Sequence, residues 1–210
     1  MTVALSCLAL AAAIGTILAI QRSMWKSAYI FRPAAMAAII LLAVSRPAAG
    51  AGSRYKTFIV AGLIVSLVGD VFMMLRKKRF VEGLAAFLIA QVLYVGAFLS
   101  VMPPRVEIGV VLPLFLYALF MMGLLFPRLG RMKAPVALYI FVLIVMAGLA
   151  AERYVVFGGT LALRAALGAF LFVLSDSFLA IDRFVKPLPA AQVFILGLYF
   201  PAQWLLALSV

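Results

Sequence analysis

The sequence predicts an all-α protein, a polytopic membrane bundle of eight transmembrane helices that forms a single domain over residues 1–210. Three observations predict it. Of 210 residues, 68% are hydrophobic and 11% are charged, whereas soluble domains run nearer half apolar and a quarter charged. A soluble fold cannot hide that much apolar surface, so the solvent must be lipid. A helical crossing takes about 20 residues, so the chain has room for about eight with short loops. Eight apolar runs are present, separated by short basic or proline-bearing segments.

The first run, Thr2 to Ile20, has no Lys or Arg before it and is followed by Arg22 and Lys26. A secretory signal carries its positive charge first, so a retained first helix is expected. The second run, 28–45, ends at Arg46-Pro47, and Pro33 suits its first turn. The third, 54–75, closes on Arg76-Lys77-Lys78-Arg79, and the fourth, 81–101, on Pro103-Pro104. The fifth, 106–126, stops at Pro127 with Arg128. The sixth, 134–151, ends at Glu152-Arg153, with a turn expected over 152–160 although Tyr154 to Phe157 is apolar. The seventh, 160–181, precedes Lys186-Pro187. The eighth, 188–208, contains Pro201, which frees a backbone carbonyl near Gly197 and can kink the helix beside a cavity.

Net charge is +12, from 18 Lys+Arg against 6 Asp+Glu. In a soluble chain this would suggest nucleic acid; here the cations sit at helix ends, so no nucleic-acid partner is expected. One set of loops holds Arg22, Lys26, Arg76, Lys77, Lys78, Arg79, Arg128, Arg131, Lys133, Arg183 and Lys186, which is 11; the other holds Arg46, Arg54, Lys56, Arg105 and Arg153, which is 5. The excess places the first set in the cytoplasm and both termini outside. With no histidine and one cysteine, Cys7, the chain lacks a Ser-His-Asp or Cys-His mechanism and an internal disulfide. No metal site or cofactor is expected.

Six acids remain. Glu107 and Glu152 fall in outer loops and read as solvated; Asp182 reads as a surface pair with Arg183. Glu82 opens helix 4, where an acid also suits the helix dipole. Asp70 and Asp176 lie inside apolar runs instead, where an aspartate costs about 2.5–3.5 kcal/mol. The competing readings are a helix–helix hydrogen bond or an ion pair with Arg32. Asp70 lies six residues before Arg76 and Asp176 seven before Arg183, so both sit about 10 Å inside the cytoplasmic boundary. Arg32, Gln91, Tyr94, Gln192 and Tyr199 enter from the same side. Gly62, Ser66, Gly69 and Asp70 share one stripe, as do Gly168, Ala169, Ser175 and Asp176; small residues let helices approach closely.

Gly69-Asp70-Val71-Phe72 echoes Ser175-Asp176-Ser177-Phe178, each followed by a basic turn with a Phe (Phe80, Phe184) and then a helix carrying Gln and Tyr: Gln91 and Tyr94, then Tyr199 and Gln203. This suggests a parallel repeat of four plus four helices about an axis along the membrane normal.

The segment Ser66-Leu67-Val68-Gly69-Asp70 with Phe80, Gly83-Leu84, Phe87-Leu88, Gln91 and Tyr94 resembles the first signature of the YhhN-like family. Gly168-Ala169-Phe170-Leu171-Phe172 with Ser175-Asp176 and Leu179-Ala180 resembles the second. Tyr199 with Ala202-Gln203 resembles its C-terminal signature, and Arg32-Pro33 its Lys-Pro. The family includes eukaryotic lysoplasmalogenases, which hydrolyse the vinyl ether of a lysoplasmalogen to a fatty aldehyde and a glycerophospho-base. The resemblance implies Asp70 and Asp176 as catalytic residues and a lysophospholipid as substrate. It implies a chain among the lipids of a bacterial cytoplasmic (inner) membrane. Arg32, Glu82, Gln91, Tyr94, Ser175, Tyr199 and Gln203 are the expected substrate-binding residues. Gln91 stands where many relatives have histidine, and glutamine is neither acid nor base at neutral pH.

The chemistry suits two carboxyls. Protonating the carbon next to the ether carbon creates an oxocarbenium ion, water attacks, and the hemiacetal collapses. Glycosidases meet a related ion with two carboxyls. Arg32 could bind the phosphate. Intramembrane acids also mark proton pathways, so a proton-coupled transporter or lipid flippase is the alternative.

Overall fold

The computed structural model describes residues 1–48, 52–75, 79–103 and 107–210. Among them the chain forms eight long helices and no strand: α1 (Thr2–Gln21), α2 (Trp25–Ser45), α3 (Gly52–Met74), α4 (Phe80–Leu99), α5 (Ile108–Leu125), α6 (Lys133–Phe157), α7 (Gly159–Ala180) and α8 (Ala191–Leu208). All eight are long and apolar enough to cross a membrane. The protein is a polytopic helical bundle, as its composition requires. The Arg76-Lys77-Lys78 part of the basic turn lies outside the described residues, as do Pro104 and Arg105.

Small residues decide which helices touch. A methyl group at Gly62 of α3 would collide with the Tyr94 ring of α4. One at Gly69 would come within 3.0 Å of Phe87. On α7, one at Gly168 would come within 2.9 Å of the Ala202 carbonyl of α8. The glycine stripes thus seat aromatic side chains and backbone against α3 and α7, close packing that stabilises helix pairs where lipid supplies no hydrophobic drive. Phe87, Tyr94, Phe172 and Tyr199 meet edge to face at the centre, with centroids 5.7–6.5 Å apart.

Three expectations are corrected. Helix 6 does not end at Glu152: the apolar Tyr154–Phe157 stretch continues it, and the turn comes at Gly158, whose φ of 61° excludes most side chains. Glu152 and Arg153 are therefore buried rather than solvated. Glu152 accepts the Glu107 backbone N–H at 3.3 Å, and the Arg153 guanidinium lies 4.3 Å from the Tyr55 ring centroid. Secondly, α2 begins at Trp25, so Pro33 lies inside the helix, not in its first turn. Finally, Asp182 and Arg183 form no surface pair; they belong to a π-helical turn, Ile181–Val185, that extends α7. Pro201 lies inside α8, which runs on through it, and with Gly197 it lines an apolar groove against α1 that includes neither aspartate.

Candidate active site

A cavity of ≈ 950 Å³ opens between α2, α3, α4, α7 and α8. Its walls come from the start of α2 (Trp25), the end of α3 (Leu75), the start of α4 (Phe80), the π turn after α7 (Arg183) and the start of α8 (Gln192). It therefore occupies the end of the bundle where the sequence concentrates its cations. Its size falls within the usual range of ligand pockets.

The two aspartates differ. Asp70 is completely buried. Its Oδ1 accepts from Arg32 Nε at 3.0 Å and Nη2 at 2.6 Å, and its Oδ2 accepts from the Tyr199 hydroxyl at 2.8 Å. Both oxygens are occupied as acceptors, and Asp70 lines no part of the cavity. Arg32 and Tyr199, which it holds, do line it. Both sequence alternatives for Asp70 are present, the ion pair with Arg32 and a helix–helix hydrogen bond from Tyr199.

Asp176 is half-buried and forms part of the cavity wall. Its Oδ2 accepts from the Tyr139 hydroxyl at 2.6 Å and from Gln91 Nε2 at 3.3 Å. Its Oδ1 has no hydrogen-bond partner among the described residues. Asp176 also borders a narrow apolar cleft formed by α5, α6 and α7 through Tyr117, Met121 and Ile140. One carboxyl thus stands where a chamber bearing charged and polar side chains in a mostly apolar wall meets an apolar cleft.

The hydrogen bonds are reciprocal. Asp70, on helix 3, is bound from α2 and α8; Asp176, on helix 7, is bound from α6 and α4. Exchanging helices 1–4 for 5–8 turns one constellation into the other, the pattern a four-plus-four repeat produces.

The other expected residues fall in four places. Ser175 reaches the cavity, but its hydroxyl donates to the Ile195 carbonyl at 2.9 Å. Tyr94 and Gln203 lie deeper, joined at 2.7 Å, with Ser66 3.4 Å from the Tyr94 hydroxyl. Gln91 is fully buried behind Asp176. Glu82 does not join the site: it turns outward and pairs with Arg79 at 3.1 Å, an i,i+3 pair on the first turn of α4. Tyr139 was not anticipated. Its signal was present, since it is the single polar side chain in the 134–151 run. Among the described residues, no three His, Cys, Asp or Glu side chains gather as a metal site would need.

The chain is 36% identical over 156 residues to the human lysoplasmalogenase TMEM86B, a match covering 74% of this chain and 64% of the human protein. To bovine lysoplasmalogenase TMEM86A it is 30% identical over 158 residues, 73% of this chain and 65% of the relative. The matches thus span slightly less than two thirds of these relatives' own lengths. An uncharacterized membrane protein YhhN from Escherichia coli O157:H7 is 26% identical over 181 residues, 86% of each chain. No solved structure matches. The model of the YhhN family matches residues 27–210, and with that match covering most of its length, this chain belongs to the YhhN family.

Proposed function

We propose that the chain is a membrane-embedded hydrolase that cleaves the vinyl ether of lysoplasmalogens, with Asp176 as its acid–base group. The observation that carries this is the position of Asp176 where a cavity that carries Arg32, Arg183 and Tyr199 in an otherwise mostly apolar wall meets an apolar cleft. A lysoplasmalogen has the same division: its vinyl ether joins a polar glycerophospho-base to a hydrocarbon chain. The mammalian relatives named lysoplasmalogenase support the substrate class.

The hydrogen bonds assign the proton. Tyr139 and Gln91 both donate to Oδ2, so a proton on Asp176 belongs on Oδ1. Oδ1–H delivers it to the alkenyl carbon next to the ether carbon. Positive charge is then shared by the ether carbon and oxygen, beside the new Asp176 carboxylate. Water attacks the ether carbon and gives its proton to that carboxylate. The hemiacetal then breaks at its bond to the glycerol oxygen: the hemiacetal hydroxyl loses its proton as it becomes the aldehyde carbonyl, and the glycerol oxygen gains a proton and leaves as a hydroxyl. One water is consumed, and Asp176 ends as it began. Gln91, in place of a histidine, relays no proton; it acts as a donor that fixes the carboxyl.

Asp70 acts through others. It holds Arg32 and Tyr199 in the cavity wall, and with two nitrogens spent on Asp70, Arg32 offers the substrate its remaining nitrogen. Purified protein in detergent should release fatty aldehyde from lysoplasmalogen, measured by coupling to an aldehyde dehydrogenase. Absence of aldehyde, with proton-driven uptake in sealed liposomes, would favour a transporter instead.

The charge count supports an orientation with the cavity end in the cytoplasm, and the resemblance to bacterial relatives supports an inner membrane. Reporter fusions after Lys78 and after Lys133 should both report cytoplasm. A periplasmic signal at either would reverse the orientation.

A further inference from the structure

Arg183 lies at the mouth of the same cavity, in the π-helical turn. Its neighbour Asp182 is committed elsewhere: Oδ1 accepts the Leu188 backbone N–H at 2.9 Å. The Arg183 guanidinium instead lies over the Phe80 ring, 4.6 Å from its centroid, within cation–π range. Phe184 packs edge-on against that ring at 5.9 Å. All six acids of the chain fall within the described residues. The ion pairs among those residues are Arg32–Asp70 and Arg79–Glu82, so Arg183 has no carboxylate partner. Single π turns gather at functional sites because the inserted residue re-aims side chains. Here the result is a planar cation, braced by an aromatic ring and facing a cavity whose lining carboxylates, Asp176 and Asp182, make no ion pair with it.

Spacing identifies the ligand chemistry. Asp176 and Arg183 are seven residues apart along consecutive helical turns, about 10 Å of rise. In a lysophospholipid with a vinyl ether at one end of its glycerol and phosphate at the other, six bonds separate ether carbon from phosphorus. At ~1.5 Å per bond, extended, that is about 7–8 Å. A contact distance of about 3 Å at either end closes the remaining gap. An ether carbon against Asp176 therefore puts the phosphate within reach of Arg183.

We propose that Arg183 is the phosphate anchor of this site, binding the phosphodiester of the lysophospholipid headgroup and so setting the ether against Asp176. The assignment rests on the lysoplasmalogenase reading above. A guanidinium suits the task because its planar fork matches phosphate oxygens and stays charged. Arg32, bound to Asp70, is less free to supply it.

The test uses the full-length protein in detergent and two unreactive ligands, a saturated 1-alkyl lysophosphatidylcholine and the matching 1-alkylglycerol without phosphate. Arg183→Ala should weaken binding of the lysophospholipid about tenfold or more, the scale of a charge-assisted contact, and leave the alkylglycerol within about twofold. Arg183→Lys should recover part of the loss. Lys186→Ala, which changes a nearby cation outside the cavity wall, should alter neither. In turnover assays the Arg183→Ala loss should appear in KM with kcat held, and should vanish for an alkenylglycerol substrate. Equal losses on both ligands would make Arg183 structural, and no loss on either would remove it from the site; both outcomes overturn the proposal. Displacement of the lipid by inorganic phosphate at similar concentration would mark a free-phosphate site and overturn it as well. Arg183-dependent lipid binding without aldehyde release would sink the hydrolase reading and leave the anchor standing.

Discussion

Asp176→Asn should abolish most turnover, by about 10²–10⁴-fold, the usual contribution of a positioned acid or base, while the protein remains folded in detergent. Asn keeps the size and can still accept from Tyr139 and Gln91 through its oxygen. It cannot supply a proton where Oδ1 meets the cavity, nor accept one from water afterwards. An isotope experiment tests the same step without a mutation. In heavy water the aldehyde should carry deuterium at the carbon next to its carbonyl, because that carbon receives the proton. The label must be read early, before spontaneous enolisation scrambles it. Full activity in the Asn variant, or wild-type product with no early label, would remove Asp176 from the chemistry.

Asp70→Asn should cause the largest loss of stability of any single substitution at the site. It leaves the Arg32 charge, 9% exposed, without its carboxylate. Breaking one side of a buried ion pair costs about 3–5 kcal/mol, whereas removing both charges can be nearly neutral. The double variant Arg32→Gln with Asp70→Asn should therefore recover most of the lost thermal midpoint. Its kinetics then decide what Asp70 does. A residue that acts by holding Arg32 and Tyr199 in the wall should show up mainly in KM, with kcat within about an order of magnitude of wild type. A double variant that is stable yet silent would make Asp70 a reacting group, as the family resemblance implies, and would end the division of labour between the two aspartates.

The resemblance and the intramembrane positions single out Asp70 and Asp176 alike, and nothing local separates them. Each follows a small residue, each lies about the same distance from a basic turn, and each heads the same short motif. Their difference arises from helices distant in the chain. Arg32 is 38 residues before Asp70, and Tyr199 is 129 after it. Tyr139 is 37 residues before Asp176. Which side chain closes on which carboxyl depends on how α2, α6 and α8 rotate against α3 and α7. Periodicity gives little guidance to such rotation here, because helices in lipid are apolar around most of their circumference. Arg183 shows the same limit from the other side: sequence adjacency pairs it with Asp182, but in the π turn Asp182 accepts the Leu188 backbone N–H and Arg183 lies over the Phe80 ring.

By itself, then, the sequence determined the lipid environment, the eight crossings, the two costly aspartates and the small-residue stripes that lead to them. These follow from composition and from side-chain size, which act locally and leave a mark at each position. It also placed the polar residues at one end of the bundle, because distance from a basic turn converts directly into depth along a helix. Only the tertiary structure decided that Asp70 is closed by an ion pair while Asp176 opens on a cavity, that Tyr139 belongs to the site and Glu82 does not, and that helix 6 buries Glu152 and Arg153. Those outcomes depend on which faces meet across the bundle, and the free energy that selects them comes from burying and pairing charges between segments far apart in the chain.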